Sequence, residues 1–162
     1  MIYTSKYTST LGDILLAADE TGLTGLWFYG AKHFAEGLSD ERCEASTPIL
    51  ERTKEWLDIY FGGCEPDFIP PLHPNGTEFQ RRVWDMLLEI PYGKTVTYGD
   101  IARRLGIGKM SAQAVGGAVG RNRISIIVPC HRVIGADGGL NGYAGGIDKK
   151  LALLTLEKVD IT

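Results

Sequence analysis

The sequence predicts a mixed α/β fold (α+β) in two parts, strands first and helices after. Three observations predict it. The first thirty residues are rich in β-branched and aromatic side chains broken by glycine turns, the stretch after residue 76 carries apolar stripes at helical spacing, and a proline-rich segment separates the two. The boundary falls at residues 1–75 and 76–162.

Each element has a local cause. Tyr3–Thr10, Asp13–Ala18 and Leu23–Tyr29 read as strands, with Gly12 and Thr21-Gly22 as the turns. Residues 31–46 are polar and irregular. Thr47-Pro48 is a helix start, a Thr N-cap before a Pro at the first helical position, and Gly62-Gly63 is its stop. Pro66, Pro70, Pro71 and Pro74 make residues 64–76 a linker or wrapping loop. Thr77 followed three residues later by Gln80 is a capping box, and Phe79, Val83, Trp84, Leu87 and Leu88 form the stripe of the helix it opens. Thr97–Leu105 and Ser111–Gly120 are two short helices joined by a glycine turn, which reads as a helix-turn-helix or an ordinary helical hairpin. The second is unusually small-sided, with Ala114, Gly116, Gly117, Ala118 and Gly120; interior glycines cost about 1 kcal/mol each, so another helix or a DNA groove approaches that backbone closely. Ile124–Val128 reads as a buried strand or extended segment, and Ile147–Lys158 as a last helix packing Leu151, Leu154 and Leu153.

Composition sets bounds. A chain of 162 residues, 44% hydrophobic and 23% charged, is globular, which excludes a disordered tail and a fibre. No run reaches the ~18 apolar residues of a membrane helix, and the N-terminus lacks the plan of a secretory signal. Cysteines stand at 43, 64 and 130 with no C-x-x-C, so a disulfide framework and a Cys-rich zinc site are not expected and a cytoplasmic setting is. The net charge of −3 argues against nucleic acid, but its distribution does not. Residues 1–75 carry −7 and residues 76–162 carry +4, and seven bases face one acid over residues 94–135. A local basic field attracts phosphates whatever the global sum.

Cys130 sits after an apolar run and beside His131, which makes it a candidate nucleophile against the plainer reading of a buried structural cysteine. His131, Arg132 or a helix-end amide would lower its pKa, and a base of this kind needs an orienting carboxylate: Asp137, Asp148 or Glu157.

Pro129-Cys130-His131-Arg132-Val133 resembles the active-site signature of the 6-O-alkylguanine-DNA alkyltransferases, the methylated-DNA–protein-cysteine methyltransferases. The resemblance extends through Thr77–Trp84, Ile90-Pro91-Tyr92-Gly93, Thr97–Ala102, Ala114–Ala118, Asn122, Gly142-Tyr143 and the Leu-Leu-x-x-Glu ending at Glu157. It implies an N-terminal domain with an RNase H-like mixed sheet and a C-terminal, winged-helix-like domain carrying the helix-turn-helix. It also implies irreversible repair, in which Cys130 keeps the alkyl group of 6-O-methylguanine, and also of 4-O-methylthymine, without a cofactor. In that reading His131 takes the Cys130 proton through a water, Glu157 orients His131, Tyr143 donates toward guanine N3, and Asn122 is the hinge of the active-site turn. Tyr98, Ser111, Gln113, Ala114, Gly117, Arg121 and Arg123 meet the DNA, and Val119, Val133 and Ala144 line the base pocket, with backbone groups of Cys130 and Val133 reading the base edge. The target carbon lies inside double-stranded DNA, so the nucleotide must be flipped out.

Two departures stand out. Gln113 occupies the place of an Arg "finger", and no Cys precedes Cys43 to hold the zinc some members carry, so no metal is expected. The competing readings are a non-catalytic alkyltransferase-like binder, which replaces the cysteine, a DNA-binding regulator module, and a Cys-His hydrolase. A monomer is expected, with no membrane partner.

Overall fold

A computed structural model describes residues 1–106, 111–140 and 143–159. The chain divides into two compact units, one of residues 1–75 with 123–125, the other of residues 76–122 with 126–162.

The first unit is a four-stranded sheet, β1 (Ile2–Ser9), β2 (Gly12–Ala18), β3 (Leu23–Phe28) and β4 (Arg42–Glu44), in the order β3-β2-β1-β4. β1, β2 and β3 form an antiparallel meander, and β4 pairs parallel with β1. Alternation explains the register: Ile14, Leu16 and Leu26 point into the core, where α1 (Pro48–Phe61) buries Leu50, Trp56, Leu57 and Tyr60. Thr47 caps α1 through the Leu50 amide, as its sequence predicts. β4 corrects the irregular reading of residues 31–46; its three exposed residues have no apolar alternation to announce them.

The outer edge of β3 is not left open. Leu72, in the proline-rich stretch, bridges Leu23, and Ile124 bridges Leu26. Pairing these groups removes an edge that would otherwise offer free amides.

The second unit is mainly helical. α2 (Glu78–Leu87) opens on the Thr77/Gln80 capping box. Trp84 is buried and donates its indole N–H to the Ala118 carbonyl at 2.9 Å, tying α2 to α4 (Ser111–Gly120). α3 (Tyr98–Leu105) opens on a second capping box, Thr97/Asp100, and packs on α4. Gly106 ends α3 at φ 72°, where glycine pays no Cβ penalty, but the rest of the α3–α4 turn lies outside the described residues. β5 (Val96–Thr97) pairs parallel with β6 (Val133–Ile134), and α5 (Ile147–Leu156) closes the unit.

Two sequence expectations fail here. Ile124–Val128 is not a strand: a single bridge at Ile124 is followed by a turn, with Ile126 fully buried at φ 72°. An apolar run reports burial and not backbone conformation, and here the turn is needed to bring Cys130 round. In α5, Leu151 is exposed, whereas Lys150 is fully buried beside Leu153 and Leu154.

Candidate functional site

Cys130, His131 and Arg132 form one turn of 3-10 helix between Pro129 and β6. The turn begins where Asn122, at the C-terminal end of α4, donates its side-chain amide to the Val128 carbonyl at 2.8 Å. Asn122 therefore ties the two ends of the loop that delivers Cys130, and it also hydrogen-bonds the sulfur.

Glu157, just past α5, gathers the rest. Its Oε2 accepts from His131 Nε2 at 2.6 Å, and its Oε1 accepts from Arg132 Nε at 2.8 Å and from the Gly93 amide at 3.0 Å. Arg132 also donates Nη1 to the Ile90 carbonyl at 2.7 Å, and its guanidinium lies over the Tyr92 ring. Gly93 sits at φ 77°, and a Cβ there would stand 3.2 Å from the Glu157 carbonyl, so the Pro91-Tyr92-Gly93 segment needs its glycine for close approach. Of the three carboxylates open to the sequence, Glu157 is the one on His131.

The electrostatics follow from burial. Burial alone would raise the Glu157 pKa, but the hydrogen bond from His131 and the Arg132 cation outweigh it and hold the carboxyl at about 2. His131 is pushed below its ordinary value by burial, so its neutral form is the resting one despite Glu157. A neutral imidazole that donates Nε2–H to Glu157 presents Nδ1 as its basic nitrogen. Burial raises the Cys130 thiol, against the lowering that the sequence reading assigned to its neighbours. Asn122, the Lys150 charge and the Cys130 and His131 amides oppose the rise without cancelling it.

Lys150 is the residue that sequence reasoning missed. It is fully buried and donates Nζ to the Val133 carbonyl at 2.6 Å. Burial lowers its pKa and the Cys130 sulfur raises it, so the amine lies within electrostatic reach of the thiol. A lysine in a helix next to Lys149 reads as solvated; only three-dimensional packing distinguishes it.

Tyr143 is buried, Val119 and Val133 are core side chains, and Ala144 is half-exposed. The Val133 N–H donates to the Cys130 carbonyl, and its carbonyl accepts from Lys150. On α4, Gln113, Ala114 and Gly117 are exposed, whereas Val115, Ala118 and Val119 are buried, so Ala114 and Gly117 lie on the open face and Ala118 on the packed one. The Tyr98 ring lies against Gly116, and its hydroxyl pKa is raised by burial, with a smaller push from Cys130. Arg121 is exposed. Arg123 belongs to the first unit, where it pairs with Glu36 at 3.0 Å. The Ser111 side chain, Asn141 and Gly142 lie outside the described residues. Among the described residues no cluster of His, Cys, Asp and Glu could hold a metal, and no helix is long and apolar enough to cross a membrane.

A buried thiol next in sequence to a His–Glu pair, in a unit that presents a small-sided helix, is the arrangement of the candidate cysteine nucleophile. Comparison with known proteins narrows that class. Residues 78–159 match the 6-O-methylguanine DNA methyltransferase DNA-binding domain, and residues 2–74 match the ribonuclease-like domain of the same family. The methylated-DNA–protein-cysteine methyltransferase of Mycobacterium bovis is 57% identical over 161 residues, 98% of this chain and 93% of that protein. The Methanosarcina acetivorans protein of the same name is 49% identical over 156 residues, 96% and 98% of the two chains. The crystal structure of the Mycobacterium tuberculosis O6-methylguanine methyltransferase superposes with a TM-score of 0.83 at 41% identity, covering 98% of this chain and 93% of that one. The Mycobacterium tuberculosis protein solved in complex with DNA gives the same score, 0.83, over 97% and 92%. This chain belongs to the 6-O-methylguanine DNA methyltransferase family.

Proposed function

We propose that the chain repairs DNA by moving an alkyl group from guanine O6 to the Cys130 sulfur. It is a methylated-DNA–protein-cysteine methyltransferase, and DNA is its partner. The observation that carries the assignment to Cys130 is the buried His131–Glu157 pair at 2.6 Å beside that thiol.

The bookkeeping of the step is simple. The Cys130 proton passes toward His131 Nδ1, directly or through a water. The sulfur attacks the alkyl carbon, an S–C bond forms, and the C–O6 bond breaks. The leaving guanine anion takes a proton from Tyr143 toward N3, and the proton held on His131 passes through water to the Tyr143 phenolate, so every group ends neutral. The thioether does not revert, so each molecule acts once. An attack of this kind reaches only an extruded nucleotide, and the exposed Gln113–Ala114–Gly117 face of α4 is the surface we assign to the groove, with Tyr98 at the phosphate of the flipped base. The same chemistry takes 4-O-methylthymine. The protein acts in the cytoplasm as a monomer and needs no cofactor.

Duplex DNA bearing labelled 6-O-methylguanine tests this. One label per protein molecule is expected, on the peptide containing Cys130, and Cys130→Ala abolishes it while duplex affinity stays. Label on Cys43 or Cys64, or continuing turnover, refutes the assignment.

A further inference from the structure

We propose that Arg123 is a positioning residue for alkyl capture, clamped by Glu36 so that the loop leading to Cys130 is held at its start. The inference rests on the reading of Cys130 as the acceptor.

Residues 123–125 leave the second unit and pack in the first. Their backbone is fixed there: the Leu26 amide donates to the Arg123 carbonyl at 2.8 Å, and the Ser125 amide donates to the Leu26 carbonyl at 3.0 Å. The Arg123 side chain adds a second hold. Its Nε donates to the Asn75 carbonyl at 3.1 Å, its Nη1 lies 3.0 Å from Glu36 Oε2, and its guanidinium lies on Gly37, where a Cβ would sit 3.5 Å from Cζ.

The loop that offers Glu36 is built at a cost. It runs as successive turns after β3, with His33 at φ 63° and Ala35 at φ 55°. Left-handed conformations at residues other than glycine cost about 1 kcal/mol each, so the surroundings must over-determine them. Phe34 anchors the loop, its ring 4.9 Å from that of Tyr29 and 6.4 Å from that of Trp27. Glu36 then faces Arg123, and His33 Nδ1 at 3.4 Å. An ion pair with this much order on both sides is worth more than a free surface pair, whose contribution is near zero.

Downstream of the clamp the chain has little slack. Ile124 and Ile126 are fully buried, Ile126 is itself left-handed, and Val128 is held by Asn122. A shift at Arg123 therefore passes into the turn that carries Cys130, and small errors in the attacking geometry are costly to rate.

The test uses the full chain with two probes, 6-O-methylguanine as the free base and as a lesion in duplex DNA. Arg123→Ala and Glu36→Gln should each slow capture by about tenfold or more with both probes. Duplex Kd should stay within about twofold, since no phosphate contact is lost. The double reversal Glu36→Arg with Arg123→Glu should restore most of the rate, which a generic packing role would not predict. Should Arg123→Ala fail to fold, Glu36→Gln alone carries the test, because it keeps shape and removes only charge. Unchanged capture rates in folded variants overturn the proposal. So does a loss seen with duplex alone and matched by a weaker Kd, which would make Arg123 a phosphate contact. If the unmodified protein takes no label at Cys130, it is the underlying reading that fails.

Discussion

Replacing Glu157 by glutamine separates what this carboxylate does for the fold from what it does for the chemistry. Its Oε1 accepts from Arg132 and Gly93, and its Oε2 accepts from His131. An amide that keeps its oxygen toward Arg132 and Gly93 retains both acceptors and places an NH₂ group against His131 Nε2. The loss is then of charge assistance, about 1–3 kcal/mol, which a domain with 5–15 kcal/mol of stability survives. The chemistry fares worse. An NH₂ donor requires Nε2 to accept, which moves the imidazole proton to Nδ1 and removes the basic nitrogen that the proposed step uses. Loss of a general base costs about 10²–10⁴ in rate. Glu157→Ala differs, because it leaves buried Arg132 uncompensated and should cost about 3–5 kcal/mol. Single-turnover label transfer from duplex 6-O-methylguanine, run beside urea denaturation, reads both quantities. If Glu157→Gln is folded and captures label within about threefold of the unmodified rate, well short of the loss a missing base would cause, the tautomer argument is wrong.

Acid should destabilise the fold in two stages. Native His131 binds its proton less readily than the unfolded chain, so stability is full above about pH 6.5 and falls below it; Glu157, held at about 2 against an ordinary 4.5, removes about 3 kcal/mol more between those values. A urea midpoint unchanged from pH 7 to pH 4.5 contradicts the His131 shift, and one unchanged from pH 4.5 to pH 2 contradicts the Glu157 shift. Gly117→Ala meets open space in the protein and should stabilise α4 by about 0.5–1 kcal/mol, yet weaken duplex binding if that face enters the groove; a tighter or equal Kd removes α4 from the interface. Lys150→Met removes a buried cation near the thiol and should slow capture by about tenfold with little change in Tm, since buried charges are replaced by apolar isosteres at small cost; an unchanged rate denies it an electrostatic role.

The parts of this molecule that the sequence made legible are those with local causes. Thr47, Thr77 and Thr97 each cap a helix through side chain and backbone a few residues apart, and all three are readable from a short window. The Cys130–Arg132 turn is also local, and its signature identified the family. What could not be read is what depends on distant contacts. β4 exists because β1 offers an edge, not because Arg42-Cys43-Glu44 favours a strand. The Ile124–Val128 turn is apolar like a strand, and only the bridge to Leu26 and the Asn122 tether show that it bends. Lys150 and Leu151 exchanged their expected roles because helical phase shifts by 100° per residue, enough to move the wrong neighbour into the core. Arg123 looked like part of a basic stripe until its partner, Glu36, appeared 87 positions earlier in the chain.

The proton inventory explains why this thiol can be buried at all. Before capture the thiol, the imidazole, the Tyr143 phenol and the alkylated guanine are neutral; after it, once the His131 proton has passed to Tyr143, the thioether, the imidazole, the phenol and the guanine are neutral again. A dry site therefore strands no new charge, and the transient thiolate meets groups already in place: Asn122, the Lys150 amine and two backbone amides. Their orientation is settled during folding and does not have to be organised at the moment of reaction. The charges that are permanently buried have separate partners. Arg132 is held by Glu157 and the Ile90 carbonyl, and Lys150 by the Val133 carbonyl. Burial thus raises the barrier to ionising Cys130 at rest, and the same fixed groups lower it along the path on which the sulfur loses its charge to carbon.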